Sequence, residues 1–513
     1  MRKLRLFSAA AALALLAAAP AFAQEGALTL TPLGTYAAGA FDEGAAEIVA
    51  FHPATSQLYV VNGATASIDI LNIADPSAPT LVSSIDVTPY AEGSTHVTIF
   101  GDLLAVALEN GQANGAVGFF NPDGSFIASY EVGALPDMLT FTPDGTKVLT
   151  ANEGEPNSDY SVDPEGSVSI VDISAGVEAA TVTTVSFADV MLDPAVRVFG
   201  PNATQAQDLE PEYVAVSADG ATAYVTLQEA NALGVIDIAS ATVTAVVPLG
   251  LKDHSLPGNE LDASDEDGAI NITSHPVFGL YQPDAVVAYE VNGETFLVTA
   301  NEGDTRDYET FAEEERVEDM TLDAEAFPNA AELQAPEVLG RLTILTPFSD
   351  TDGDGDLDVL YVPGARSFSI WAADGTLVYD SGSQLETLIA ELVPEEFNAT
   401  NDENGSFDNR SDNKGPEPEG VAIGQIGDAT YAFIGLERIG GVMVYDISDP
   451  AAPVFVTYAN NRDYTGDAEA GTAGDLGPEG LRFIPASDSP TGEALLVVAN
   501  EISGTTTVYS VTQ

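Results

Sequence analysis

Five aspartates alternate with small residues in Asp350-Thr-Asp352-Gly-Asp354-Gly-Asp356-Leu-Asp358, the spacing of a loop that wraps one hard cation. Carboxylates at positions 1, 3 and 5 converge on the ion, Gly355 at position 6 permits the sharp turn, and Leu357 at position 8 anchors the loop to a core. Position 12 is Tyr361 where a helix–loop–helix site has a bidentate Glu, and no helical pattern flanks the loop. The reading is therefore a calcium loop between β-strands. Its candidate ligands are Asp350, Asp352, Asp354, Asp356 and Asp358, completed by water or by residues from elsewhere. A solvated acidic turn is the plain alternative.

A second set of acids repeats along the chain. Glu47, Asp137, Glu212, Asp284, Glu419 and Glu479 each open a short apolar run, as in Glu47-Ile-Val-Ala-Phe and Glu479-Gly-Leu-Arg-Phe, with His96-Val-Thr-Ile-Phe as a variant start. Glu153, Glu229, Glu302, Glu437 and Glu501 each close a following run, often as Asn-Glu. If these positions gather round an axis, like charges at close range need cations or shifted pKa values. Beside the loop, Glu153, Glu212, Glu302, Asp304, Glu419, Glu437, Glu479 and Glu501 are the weaker metal candidates. Capping of turns within each repeat is the competing role for any one of them. Arg306, Arg366 and Arg438 stand near strand ends and could hold phosphate or carboxylate bidentately. In so acidic a chain an ion pair with a neighbouring acid is the simpler role. His52, His96, His254 and His275 have no metal-ligand spacing, and no G-x-S-x-G elbow, phosphate-cradling loop or Cys/His pattern is present.

The elements that must position these acids read as strands throughout: β-branched and aromatic runs separated by Gly, Pro, Asn and Asp. They recur as a unit of an acid-led strand, a turn such as Thr-Pro-Asp144-Gly, a second strand, and a third strand such as Val-Ser-Ile-Val171-Asp172. One four-stranded sheet per unit, repeated radially, predicts an all-β propeller of the WD40/YVTN kind. First strands number seven. Hairpins number eight, because Asp358-Val-Leu-Tyr-Val-Pro and Ser367-Phe-Ser-Ile-Trp371 add a pair without a first strand, and the hairpin count favours eight. The strand from Leu28 has no unit of its own and is expected to complete the last blade. Long insertions fall at about 154–166, 252–281, 303–338 and 383–418, the third with room for a short helix. Insertions of this length are commonly functional or disordered.

Residues 1–23 have a basic start, an Ala/Leu run and Ala21-Phe-Ala23, the pattern of a secretory signal peptide. Residues 24–513 are then one exported domain, periplasmic or extracellular, without a membrane span. There is no cysteine, which excludes disulfides, thiolate metal sites and a thiol nucleophile. The net charge of −65 repels nucleic acid and anionic lipid and draws divalent cations. Adaptation to salt would explain part of it.

The motifs Thr-Ala-Asn-Glu-Gly-Glu-Pro156, Asp208-Leu-Glu-Pro-Glu-Tyr213, Thr-Ala-Asn-Glu-Gly-Asp-Thr-Arg-Asp-Tyr308, Gly-Ala-Arg-Ser-Phe-Ser-Ile-Trp371 and Gly-Pro-Glu-Pro-Glu-Gly420, together with the aspartate loop, span nearly all of residues 24–513. In these the sequence resembles the choice-of-anchor I family. That family includes proteins similar to mesenchyme-specific cell-surface glycoprotein and bacterial chains labelled atypical alkaline phosphatases. The resemblance implies a propeller of the surface or extracellular space in which calcium is plausible, and supplies no catalytic set. The resulting expectation is an exported calcium-binding propeller that acts as a binding or surface-interaction module. Its partners would be divalent cations and a surface protein, polysaccharide or phosphoester. The alternative is a calcium-dependent phosphoester hydrolase.

Overall fold

The computed structural model describes residues 28–513; the expected signal peptide lies outside them. Seven four-stranded antiparallel sheets follow one another along the chain. Blade one is built from Val49–His52, Gln57–Asn62, Ser67–Asn72 and Thr80–Asp86, and blade two from Gly93–Phe100, Leu103–Asn110, Ala113–Phe120 and Phe126–Ala134. Blades three and four open with Pro136–Phe141 and Pro211–Val216, and blade six with Pro418–Ile426. Blade seven takes Pro478–Ile484, Ala494–Asn500 and Thr505–Thr512 from the end of the chain and Thr29–Ala37 from its beginning, which pairs antiparallel with Thr505–Thr512. The expected closure by the N-terminal strand is present. Each first strand touches the first strand of the next blade, and those of blades six and seven complete the circuit back to blade one.

The blades are held face to face, and period two decides how. In Gln57–Asn62, Leu58 and Val60 pack against Leu495 and Val497 of blade seven, whereas Tyr59 and Val61 pack against Leu104 and Val106 of blade two. Both faces of the strand are therefore buried, which is why such strands read as continuous apolar runs. A hydrophobic cluster of this kind fills every one of the seven interfaces. Because Thr29–Ala37 covers Thr505–Thr512, a variant lacking residues up to 37 leaves a long edge strand unpaired. We expect its melting temperature to fall by about 10 °C or more, with aggregation on heating, as scanning calorimetry would record.

Seven blades, not eight, is the structural count among the described residues. Blade five contains Val286–Val291, Glu294–Asn301, Ser367–Ala372 and Leu377–Asp380. Its second and third strands are adjacent in space, Leu297 opposite Trp371, although the chain between them leaves the blade. The hairpin that suggested an eighth unit is thus split. Ser367–Ala372 is the third strand of blade five, while Tyr361–Val362 joins a separate five-stranded sheet with Leu251–Asp253, Phe278–Leu280, Thr343–Leu345 and Glu314–Arg316. This satellite sheet is made from the second insertion and from the chain between Asn301 and Ser367, which runs beyond the expected 303–338, and has its own core of Leu261, Val317, Leu339, Ile344, Leu357 and Leu360. The short helix expected in the third insertion is Ala330–Leu333, and the fourth insertion carries Gln384–Leu392. Among the described residues no helix is long and apolar enough to cross a membrane.

Candidate functional site: the acidic channel

Five first strands open with the same local device. Leu135-Pro-Asp137, Glu210-Pro-Glu212, Gln282-Pro-Asp284, Glu417-Pro-Glu419 and Gly477-Pro-Glu479 all hold the residue before proline at positive φ: 44°, 35°, 39°, 46° and 67°. For the four that are not glycine this conformation costs of order 1–3 kcal/mol each, a strain that clusters at functional sites. The turned residue offers its carbonyl to the end of the second strand. Leu135 O accepts from Glu153 N at 2.8 Å, Glu417 O from Glu437 N at 2.9 Å and Gly477 O from Glu501 N at 2.8 Å. The acid that opens one strand is thereby tied to the acid that closes the next. The register then slips just beyond the acid in blades two, three, four, six and seven, and such bulges re-aim side chains. In blade two this register puts Thr95, not His96, in the acid's place.

The second-strand Asn-Glu pairs divide two tasks. Asn152 Nδ2 donates to Ser167 and Ser169, and Asn301 Nδ2 to Ser367 and Ser369, locking each strand end to the third strand. The next residue is left free for the axis. Asp137, Glu153, Glu212, Asp284, Glu419 and Glu479 line one cavity of about 330 Å³ around it. Crowded carboxylates away from bulk water hold protons tightly. Burial, then Glu501 and Asp137, pushes Glu47 up to about 8. Burial and Glu155 raise Asp137 to about 7. Glu153, Glu212, Asp284, Glu419 and Glu479 are pushed well above the ordinary range, by burial first and neighbouring carboxylates second.

Two triads of carboxylates stand out in and beside this wall, each with ligand oxygens within 4.8 Å of one another. In the first, Glu153 closes a strand of blade three and Glu212 and Glu229 belong to blade four. In the second, Glu302 closes a strand of blade five and Glu417 and Glu437 belong to blade six. The two lie two blades apart and differ in one member, since Glu417 holds the place of Glu210 rather than of Glu212, and they are neutralised differently. Lys414 sits 2.9 Å from Glu302 and 3.0 Å from Glu417, Arg438 is 3.0 Å from both Glu417 and Glu437, and Arg410 is 2.5 Å from Glu417. Three cations answer three acids. Burial opposes ionisation of Glu417, yet Lys414, Arg438 and Arg410 bring its carboxyl down to about 2. Among the described residues the first triad has no ion-paired lysine or arginine; Arg306 is paired with Glu210 and Asp208 and acts on Glu229 only through space. One oxygen each of Glu212 and Glu229 is buried without a hydrogen-bond partner. That leaves an oxygen-only pocket of acids without ion-paired cations, of the kind calcium takes, so the residues present fit a divalent ion there.

The other expected residues fall as follows. Glu501 lies near Arg438 and Glu302, its carboxyl raised by burial. Burial and Glu302 raise Asp304 at the channel rim to about 6. In the aspartate loop, Leu357 is buried in the satellite core as expected. Asp350, Asp352 and Asp358 converge, and Asp356 and Asp358 converge with Asp323. Asp354 joins neither group and accepts from Asp356 N at 3.3 Å. Arg306 is buried, bonded to Glu210 and stacked 4.6 Å from the Phe199 ring centroid. Arg366 is buried against Glu386 at 2.8 Å and the carbonyls of Asp262, Ser411 and Asn413, bracing two insertions. Arg438 belongs to the second triad. Glu210, Glu417 and Asp323 were not singled out in the sequence. The doubled Glu-Pro-Glu motif is the signal for the first two, and Asp323 carries none because it reaches the loop from an upstream part of the same excursion between Asn301 and Ser367.

The profile of the choice-of-anchor I domain matches residues 47–450. Gigasin-3a of Magallana gigas is 30% identical over 190 residues, 35% of this chain and 66% of that protein. Mesenchyme-specific cell surface glycoprotein of Strongylocentrotus purpuratus is 26% identical over 290 residues, 48% of this chain and 36% of that protein. The chain thus spans less than two thirds of the length of either relative. Among solved structures, Kuenenia stuttgartiensis hydrazine synthase aligns with a TM-score of 0.47 and 13% identity over 92% of this chain and 98% of that one. A streptogramin B lyase aligns with 0.45 and 10% identity over 94% and 98%.

Proposed function

The chain belongs to the choice-of-anchor I domain family, and on that premise we propose that it is an extracellular or surface propeller that binds calcium and serves as a binding or interaction module. The family and the sea-urchin relative's name as a cell surface glycoprotein support the location. The observation that carries the calcium reading is the triad Glu153–Glu212–Glu229, in which two buried carboxylates each keep an unpartnered oxygen and, among the described residues, none is ion-paired with a lysine or arginine. An unpaired buried charge is costly, and a divalent ion removes that cost. The converging aspartates of the 350–358 loop would take further calcium at the surface of the satellite sheet.

A ligand that binds only the folded state stabilises it by about 4 kcal/mol at a thousandfold excess over Kd. Equilibrium dialysis with radioactive calcium should therefore show saturable sites, and chelation should lower the melting temperature by a few degrees. Glu212→Gln should remove one site, and Asp358→Asn should remove those of the loop. Uptake without saturation would reduce the acids to a diffuse counter-ion atmosphere and sink the reading. The alternative, hydrolysis of a phosphoester by the same cations, predicts calcium-dependent turnover of a chromogenic phosphate ester that Glu212→Gln abolishes.

A further inference from the structure

Fifteen lysines and arginines occur in the sequence, and three of them, Arg2, Lys3 and Arg5, precede the described residues. Of the other twelve, eleven are ion-paired to carboxylates or, like Arg462, bonded to backbone carbonyls. Arg482 alone has neither an ion pair nor a hydrogen bond among the described residues. Asp488, whose charge it feels, lies beyond pairing distance. In a chain with 80 acids, a cation left without a partner calls for a reason.

Its position supplies one. Arg482 lies on the inner strand of blade seven, three residues after Glu479. At the same place the other first strands carry Ala50, Thr98, Thr140, Ala215, Val287 and Ala422. One charge therefore occupies an otherwise neutral layer of the channel. Arg482 and Tyr213 line both the acidic cavity and a second one of about 300 Å³ on its far side. Tyr213 comes from blade four, across the axis, and His96 meets its ring edge-on at 6.3 Å between centroids. His96 is 7% exposed, and its Nδ1 has no partner. Burial lowers its pKa to about 3, so at neutral pH the ring is uncharged and offers one N–H. A guanidinium exposed to the channel, a buried imidazole and a phenol thus face one passage with unused donors.

We propose that Arg482, with Tyr213 and His96, forms an anion site at the waist of the channel, and that the channel's ligand is a small molecule bearing a compact oxyanion, phosphate or carboxylate. Both groups match the planar fork of a guanidinium. The acid wall beside the site repels a free anion, so occupancy follows loading of that wall with calcium. This dependence rests on the calcium reading above; the anion site itself rests on Arg482.

Calorimetric titration separates the two. Inorganic phosphate and acetate are titrated in turn into calcium-loaded protein, chelated protein and calcium-loaded Arg482→Gln. Saturable binding of at least one anion to calcium-loaded protein is expected, weakened tenfold or more by Arg482→Gln and partly restored by Arg482→Lys. The preferred anion tells phosphorylated from carboxylated ligands. Calcium stoichiometry and melting temperature should be unchanged in Arg482→Gln, since the side chain makes no bond that holds the fold. Wild-type affinity in Arg482→Gln, or no binding of either anion, overturns the site. Equal binding with and without calcium keeps the site and overturns its link to the acid wall.

Discussion

Glu417→Gln is expected to cost the folded protein about 3–5 kcal/mol, with calcium or without it, whereas Glu229→Gln should raise the melting temperature of the chelated protein. Both residues sit in buried carboxylate triads, and the opposite signs follow from their different counter-charges. Glu417 is fully buried and answers Arg410, Lys414 and Arg438. An amide there leaves a surplus of positive charge away from water, the costly half of a broken buried pair. Glu229 has an unpartnered oxygen and stands with Glu153 and Glu212. An amide in its place removes a buried acid that without metal must either hold a proton or carry an unpaired charge, since burial raises its carboxyl to about 7, while a calcium ion would lose a ligand. Glu229→Gln should therefore gain stability in chelator and lose the response to calcium. Thermal midpoints of both variants, each with chelator and with saturating calcium, give four numbers. A Glu229→Gln protein that still gains the wild-type increment from calcium would show that the ion is held elsewhere.

The propeller was legible because its strands have two buried faces. Runs such as Leu58-Tyr-Val-Val61 carry no polar alternation, and the turn residues between them are regular enough to count. The count of blades was harder to read at blade five. There the strand pair Glu294–Asn301 and Ser367–Ala372 is interrupted by chain that folds on a core of its own. Local pattern shows strands and does not show which strand a distant one will pair with. The acid ring was likewise legible as a repeated position, since equivalent residues of equivalent strands must share radius and height. What differs between triads was not. Lys414 and Arg410 lie in the fourth insertion and Arg306 in the third, so the pairing that neutralises one triad and spares the other depends on how insertions fold back over the channel. Arg482 shows the reverse case. It stood in plain view in Glu-Gly-Leu-Arg-Phe, but only the structure shows that every other cation near the axis is already paired.

The acid wall should also give the metal-free protein an inverted pH profile. Glu47 and Asp137 have folded-state values of about 8 and about 7, far above the roughly 4 of an unfolded carboxyl. Between those limits the folded state binds more protons than the unfolded one. The stability they contribute is thus complete below about pH 4 and is lost as pH rises through 7 to 8. Histidines act in the other direction. His96 and His275 fall to about 3 and about 4, chiefly because burial disfavours their charge. Their contribution is present above about pH 6.5 and lost as pH falls towards those values. From pH 6.5 to 8 the buried histidines are neutral in the folded state and only finish deprotonating in the unfolded one, so the acids dominate the change. In that window a group with fully shifted pKa contributes up to about 1.4 kcal/mol per pH unit, so the chelated protein should melt several degrees lower at pH 8 than at pH 6.5. Calcium in the wall favours the ionised carboxylates, and its stabilising increment should grow over the same interval. Melting curves at half-unit steps, with chelator and with calcium, test both slopes. A chelated protein whose midpoint stays level or rises from pH 6.5 to 8 would mean that the wall acids are already ionised and balanced without a metal.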